Sequence, residues 1–214
     1  MSHSPAVRLS YDPLMQETPT AVEMDENARY RRTIRAAEEL FKKVGFRAVT
    51  MEMVAREANV AKATLYSHFK NKDELYIAVS ARMARIIKGA LNDALNKTDT
   101  PLDERLTEAV ISKHRLVYSL VRGSPHSNEL LSYTHNLAGH IWTEMDAAIV
   151  ELLRAAIATD AQLAGNADQL ARALYFGTSP LAMRCESLND IESELRAFTA
   201  IHLAGARAVG AALS

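Results

Sequence analysis

From Asn27 almost to the C-terminus, apolar residues recur at helical spacing, and no segment shows the alternation typical of a half-buried strand. This pattern predicts an all-α chain of about nine helices, with a three-helix unit in front of about six further helices. At 214 residues, close to half of them apolar, the chain is long enough for one small and one medium domain. Residues 1–26 differ, because three prolines interrupt any helical period, and we expect a flexible tail there.

The strongest local signals lie between residues 50 and 75. Thr50 is a good N-cap for a second helix, and Asn59 can adopt the left-handed conformation of a tight turn. A short helix then follows at about 62–69. Asn71 and Glu74 form a variant of the capping box that opens a long fourth helix. Two short helices separated by a tight turn predict a helix-turn-helix unit.

The short helix carries far more hydrogen-bonding side chains than core residues. Leu65 and Phe69, four residues apart, are its only strong core positions, so its remaining side chains turn outward. Such a helix can enter the major groove of DNA, while the N-terminus of the second helix and a lysine at the start of the fourth can reach phosphates. We therefore predict DNA contacts from Thr50, Lys62, Ala63, Thr64, Tyr66, Ser67, His68 and Lys72.

The charge distribution favours the same partner. The net charge of −1 conceals a segment from Arg29 to Lys72 with eleven lysine and arginine residues against four acidic residues, a local charge of +7. The rest of the chain carries −8. A basic segment joined to an acidic one indicates that the basic part binds a polyanion.

Residues 30–75 resemble the DNA-binding domain of the tetracycline-repressor (TetR) family of transcription regulators. The sequence departs from the family pattern at Asn59, where glycine is usual, and at Ala61, where serine or threonine usually caps the recognition helix. The joint spacing that carries the resemblance involves Ala37, Phe41, Gly45, Thr50, Val54, Ala55, Ala58, Val60, Thr64, Leu65, Tyr66, His68, Phe69, Lys72 and Leu75.

The resemblance implies a helix-turn-helix DNA-binding domain at residues 27–71 and a helical effector-binding and dimerisation domain at 72–214. It also implies a homodimer held by the last two helices, a palindromic operator in double-stranded DNA, and usually repression that a small, largely apolar organic effector relieves. We expect the effector pocket among large apolar residues of the rear helices, with His114, His135 and His140 as candidates to orient a ligand. The candidate lining residues are Met83, Ile86, Tyr118, Tyr133, Trp142, Met145 and Phe176.

Other classes of protein find little support. The sequence has no glycine-rich phosphate loop, nucleophile elbow, zinc-protease pair or paired catalytic carboxylates, so we expect neither an enzyme nor a metal or other cofactor. No apolar run is long enough to predict a membrane span, and the single Cys185 fits a reducing cytoplasm. The alternative that stays open is a helical interaction module of the same fold that does not bind DNA.

Overall fold

The computed structural model describes residues 21–122 and 124–212, which form nine α-helices and one short 3-10 turn at Ala164–Asn166. The all-α prediction is therefore confirmed. Within this part of the chain, no helix is both long and apolar enough to cross a membrane. The helices are α1 (Ala21–Val44), α2 (Met51–Glu57), α3 (Lys62–His68), α4 (Lys72–Leu95), α5 (Leu102–Arg122), α6 (Ser127–Ile157), α7 (Ala167–Phe176), α8 (Thr178–Arg184) and α9 (Leu188–Ala212).

Helix α1 begins at Ala21, within the segment 1–26 for which the sequence predicts a flexible tail. The first twenty residues of that tail lie outside the described residues. At its other end, α1 closes at Gly45, whose φ of +82° is the left-handed conformation that ends many helices. A side chain at this glycine would also meet the side chains of His126, which precedes α6, and Glu129, in its first turn.

Helices α1 to α3 form the helix-turn-helix unit that the sequence predicts. Leu65 and Val54 are completely buried, and Phe69 and Ala58 are 4% exposed, which confirms their assignment to the core. Asn59 has a φ of +51°, so the tight turn between α2 and α3 uses the left-handed conformation expected of it.

The predicted helix starts in this unit are also confirmed. Thr50 Oγ1 accepts a hydrogen bond from the backbone N–H of Met53 at 3.2 Å and caps α2. Asn71 Oδ1 accepts from the N–H of Glu74 at 2.9 Å, and the Glu74 carboxylate accepts from the N–H of Lys70 at 2.8 Å. These two bonds fix the first turn of α4 in a variant of the capping box, in which the return bond comes from Lys70, one residue before the cap.

Helices α4 and α6 each contribute to two hydrophobic cores. In the first half of α4, Leu75 and Val79 pack into the front core around α1 to α3, whereas Ile87 and Leu91 pack into the rear core. Helix α6 likewise sends Tyr133 towards the front core and its second half into the rear core. The two halves of the protein therefore share two helices.

The structure corrects the predicted division of residues 127–159 into two helices. A single helix, α6, runs through Gly139, although glycine in a helix interior costs about 1 kcal/mol relative to alanine. The reason is that one buried face continues across the glycine through Ala138, Met145, Ile149 and Leu153.

The single helix predicted from Asn166 to about Met183 is instead two helices, α7 and α8. Pro180 has no N–H to donate to the carbonyl oxygen of Phe176, so the helical ladder cannot continue past Gly177. Asn166 makes no side-chain capping bond. The cap of α9 also differs from the prediction, because Ser187, rather than Asn189 or Asp190, accepts the bond from the N–H of Asp190 at 3.1 Å.

Candidate functional site

Helix α3 presents a polar face on the outside of the front unit. Leu65 anchors the helix with no exposed surface, while Lys62, Ala63 and Ser67 are exposed and Tyr66 is 41% exposed. Thr64 is half-buried beside them. The helix therefore offers one ammonium group, three hydroxyl groups and the methyl group of Ala63, whose small size permits close approach.

An acidic residue that the sequence interpretation overlooked lies beside this face. The carboxylate of Glu52, in the first turn of α2, forms an ion pair with Lys62 at the start of α3. The hydrogen bond from Lys62 lowers the pKa of Glu52, and the same bond raises the pKa of Lys62. Thr50, predicted to meet phosphate, is exposed, and its hydroxyl also helps to lower the pKa of Glu52.

The structure gives Lys72 a second role beside the predicted one. Its Nζ donates hydrogen bonds to the carbonyl oxygens of Phe46, Arg47 and Val49 at 2.7, 3.1 and 2.9 Å. All three ammonium protons therefore have acceptors in the turn between α1 and α2. A contact between Lys72 and a DNA phosphate would have to replace at least one of these bonds.

His68 turns inward rather than outward. Its ring packs edge-on against Tyr30, with the ring centres 5.7 Å apart, and lies 6.3 Å from the ring of Phe69. Its Nε2 is buried and has no hydrogen-bond partner among the described residues. The imidazole is thus placed to pack α3 against α1, and it does not extend the exposed face of α3.

Further cations lie on α1. Arg31, Arg32 and Arg35 are exposed and make no ion pair with any side chain that the structure describes, whereas Arg29 pairs with Asp25. The positive charge of the front unit is therefore carried partly by side chains that are free to meet an anion.

A cavity of about 440 Å³ lies between the rear helices. Tyr118, Trp142, Met145 and Phe176 line it, as does His114. Met83 and Ile86, also predicted there, are not among the lining residues, and α4 contributes Ile87 in their place. Ile86 is one residue from Ile87, so its side chain points about 100° away, whereas Met83 lies on the same face as Ile87 but one turn closer to the front core.

Two other predicted ligand contacts, Tyr133 and His140, do not reach this cavity. Tyr133 packs against the front core, with its ring centre 4.2 Å from that of Phe46. His140 is exposed, and the side chain of His135 lies outside the described residues. In the described ranges, no three histidine, cysteine, aspartate or glutamate side chains converge as a metal site would require.

The cavity also contains polar residues that the sequence interpretation missed. Lys113 Nζ lies 3.2 Å from Ser179 Oγ and 3.8 Å from the centre of the Tyr175 ring, and the Tyr175 hydroxyl donates to Asp146 at 2.6 Å. A signal for Lys113 exists in the sequence, because it occupies an apolar helical face, three residues after Val110.

Residues 34–79 match the sequence pattern that defines the bacterial regulatory proteins of the tetR family. The uncharacterized HTH-type transcriptional regulator YhgD of Bacillus subtilis is 32% identical over 84 residues, which are 39% of this chain and 44% of YhgD. The transcriptional activator FasR of Mycolicibacterium smegmatis is 40% identical over 75 residues, which are 35% of this chain and 34% of FasR. The chain thus spans less than half the length of both of these relatives.

Two similarities extend over most of the chain. The fatty acid metabolism regulator protein of Bacillus subtilis is 27% identical over 183 residues, covering 80% of this chain and 90% of that protein. The crystal structure of a TetR-family regulator from Mesorhizobium loti superposes with a TM-score of 0.67, covering 84% of this chain and 96% of the other at 19% identity. The second similarity establishes the fold.

The front unit and the helical domain behind it define a helix-turn-helix regulator. Residues 34–79 match the tetR family of bacterial regulatory proteins, and the whole described chain has the fold of a TetR-family regulator of known structure.

Proposed function

We propose that the protein binds double-stranded DNA by placing α3 in the major groove. The observation that supports this most directly is the division of α3 between completely buried Leu65 and exposed Lys62, Ala63, Tyr66 and Ser67, in a segment of charge +7. Base edges in the major groove present distinct donors, acceptors and methyl groups to such a face.

Each exposed group suits a particular partner. Ala63 allows close approach, and Thr64 and Ser67 can bond bases or phosphates. The Tyr66 hydroxyl suits a phosphate oxygen, as does the N-terminus of α2 at Thr50.

Three predicted contacts are held by other groups in the protein. Lys62 can reach DNA once it releases Glu52. His68 and Lys72 were predicted as direct contacts. The packing of the His68 ring against Tyr30 and the three hydrogen bonds of Lys72 favour a positioning role for both.

We propose further that the protein acts as a homodimer on a palindromic operator. Four large apolar side chains on the last three helices are well exposed: Phe176 (49%), Met183 (83%), Ile201 (69%) and Val209 (51%). Covering them with the same surface of a second copy would remove this apolar area from water. Two α3 helices about 34–36 Å apart would then meet successive major grooves on one face of the DNA.

The cavity between the rear helices is proposed to bind a small, largely apolar organic effector. Its walls include the aromatic rings of Tyr118, Trp142 and Phe176. The relative that matches over most of its length is named for fatty acid metabolism, which supports an effector with an apolar chain. We propose that the protein is cytoplasmic, where both the DNA and such an effector would be available to it.

Helix α4 offers the route from effector to DNA. Ile87 lines the cavity, while Leu75 and Val79 of the same helix pack against the DNA-binding unit. A ligand that displaces α4 changes the separation of the two α3 helices in a dimer. A hundredfold preference of the ligand for the non-binding arrangement is worth about 2.7 kcal/mol, enough to weaken operator binding strongly.

The test is a selection of DNA fragments from the genome that encodes the protein, performed with purified full-length chain at low and moderate salt. Enrichment of a palindromic sequence by the wild type, reduced for Tyr66→Phe, is the expected result. A promoter fusion to the enriched sequence then separates repression, which we propose, from the activation for which the relative FasR is named. Absence of any enriched sequence at low salt would favour an interaction module that does not bind DNA.

A further inference from the structure

Lys113 is the most unusual ionisable residue in the rear domain. It is only 9% exposed and neighbours the buried residues Val110 and Ile111 on α5. Its ammonium group lies 3.2 Å from Ser179 Oγ and 3.4 Å from the carbonyl oxygen of Tyr175. Among the described residues, no carboxylate forms an ion pair with it. A buried ammonium group held only by neutral oxygens and the face of the Tyr175 ring is costly, and burial lowers the pKa of Lys113 from 10.5 to about 8.

The neighbouring ionisable groups do not neutralise Lys113 by contact. Asp146 on α6 acts on the ammonium only from beyond ion-pair distance, and its carboxylate already accepts the hydroxyl proton of Tyr175 at 2.6 Å. Burial raises the pKa of Tyr175, so this group stays neutral at physiological pH. Burial and the charge of Lys113 lower the pKa of His114 to about 3, so the imidazole is also neutral and bonds Thr178 at 3.0 Å.

The rest of the cavity around this cation is mostly apolar. Trp142, Met145, Val117 and Ile87 line it, and its volume of about 440 Å³ lies within the range of sites for small organic molecules. The arrangement therefore combines a large apolar wall with one positive charge that lacks a counter-ion in contact.

Building on the proposed effector function, we infer that the cavity binds an amphiphilic monocarboxylate. Its carboxylate would accept hydrogen bonds from Lys113 Nζ and from the hydroxyl of Ser179, and its hydrocarbon part would pack against Trp142. A single ammonium matches the charge of a monoanion, whereas a phosphate monoester would bring a second negative charge without a partner. An amine would repel Lys113 and would compete with Tyr175 for Asp146.

The chain carries its own reporter, because Trp142 is its only tryptophan and lines the cavity. Its fluorescence would be titrated in the full-length protein with decanoate, with decan-1-ol and with decylamine, three ligands that share one hydrocarbon chain. Lys113→Met removes the buried charge and keeps an unbranched side chain. Lys88→Met makes the same change at an exposed position of α4 and is the matched control.

The wild type and Lys88→Met are expected to bind decanoate at least roughly tenfold more tightly than decan-1-ol, because an ion pair with a desolvated ammonium strengthens binding. Lys113→Met is expected to lose this preference and keep its affinity for decan-1-ol. Equal affinities for acid and alcohol in the wild type, preference for decylamine, or an unchanged preference in Lys113→Met would overturn the inference.

A second measurement needs only the wild type and serves if Lys113→Met does not fold. Decanoate affinity should fall as the pH rises past about 8, where Lys113 loses its proton, while the affinity for decan-1-ol stays constant. The ionisable groups that line the cavity with Lys113 are His114, Tyr118, Asp146 and Tyr175, and α8 supplies the hydroxyl of Ser179. Decanoate affinity that is flat across this range would contradict the inference.

DNA binding measured in the same samples separates this inference from the proposed function. If decanoate binds through Lys113 and the protein–DNA complex persists, the inferred carboxylate site is supported and the proposal that an effector releases the DNA is contradicted. If decan-1-ol releases the DNA, while decanoate neither binds the protein nor releases the DNA, the proposal of release by an effector is supported and the inferred carboxylate site is contradicted.

Discussion

Lys72 at the start of α4 donates a hydrogen bond to the carbonyl oxygen of Phe46 at 2.7 Å, and its ammonium lies 4.5 Å from the centre of the Phe46 ring. Phe46 is itself buried against Phe41 and Tyr133. One lysine therefore joins the first turn of α4 to the segment between α1 and α2 and to an aromatic cluster that includes α6. This makes Lys72 a structural residue of the DNA-binding unit whether or not it also meets DNA.

Lys72→Ala is expected to lower the free energy of unfolding by about 1–3 kcal/mol, because it leaves carbonyl oxygens of the α1–α2 segment without their donor. Chemical denaturation followed by circular dichroism measures this change. Lys70→Ala is the control, because the Lys70 side chain is highly exposed and its Nζ makes only a long contact of 4.0 Å with Glu74 Oε1. If both variants are as stable as the wild type and only Lys72→Ala loses DNA binding, Lys72 acts through phosphate alone.

Glu52→Gln is expected to strengthen DNA binding several-fold. The substitution releases Lys62 from its ion pair and removes a negative charge beside the face that would meet phosphates. Glu57→Gln makes the same change in net charge at another exposed position of α2 and should have a smaller effect. Anisotropy titrations of labelled operator DNA measure both. Weaker binding by Glu52→Gln would mean that the Glu52–Lys62 pair orients α3 for binding.

Leu65→Ala is expected to destabilise the front unit by about 2–5 kcal/mol, since Leu65 is completely buried in its core. Ser67→Ala, on the exposed side of the same helix, should change stability by less than about 0.5 kcal/mol. Thermal unfolding of the two variants provides the comparison. Equal melting temperatures would show that α3 does not depend on this anchor.

Stability should also depend on pH through Lys113. Its pKa is about 8 in the folded protein and 10.5 when the side chain is free, so between these values the unfolded chain binds more protons. The free energy of unfolding of the wild type should therefore rise by about 2 kcal/mol from pH about 8 to about 10, and Lys113→Met should lack this rise. Above pH about 10 the raised pKa of Tyr175 acts in the opposite direction, so denaturation is compared below that point.

Local signals made the front unit predictable from sequence. Thr50, Asn59 and Asn71 act on backbone groups within a few residues of themselves, so their roles follow from their chemistry and spacing. The partners of Lys72 are more than twenty residues away, and only the packed structure shows that the turn at 46–49 supplies three acceptors.

The rear domain was harder to predict, because its features depend on contacts between residues that are distant in the sequence. The local sequence at Gly139 predicts a helix break, but tertiary packing of one continuous apolar face stabilises α6 across this residue. Ile86 and Ile87 are both apolar, and only the packing of α4 decides that Ile87 lines the cavity. Lys113 was visible as a charge on an apolar face, yet its neighbours come from three other helices.

The central claim, that exposed groups of α3 and its surroundings bind DNA, is tested most directly by the salt dependence of binding to the enriched operator. Anisotropy titrations at a series of salt concentrations should give a logarithm of the association constant that falls linearly with the logarithm of salt. The slope should correspond to several phosphate contacts, with two chains bound per site. Binding that is insensitive to salt, or no binding at low salt by dimeric, effector-free protein, would contradict the account.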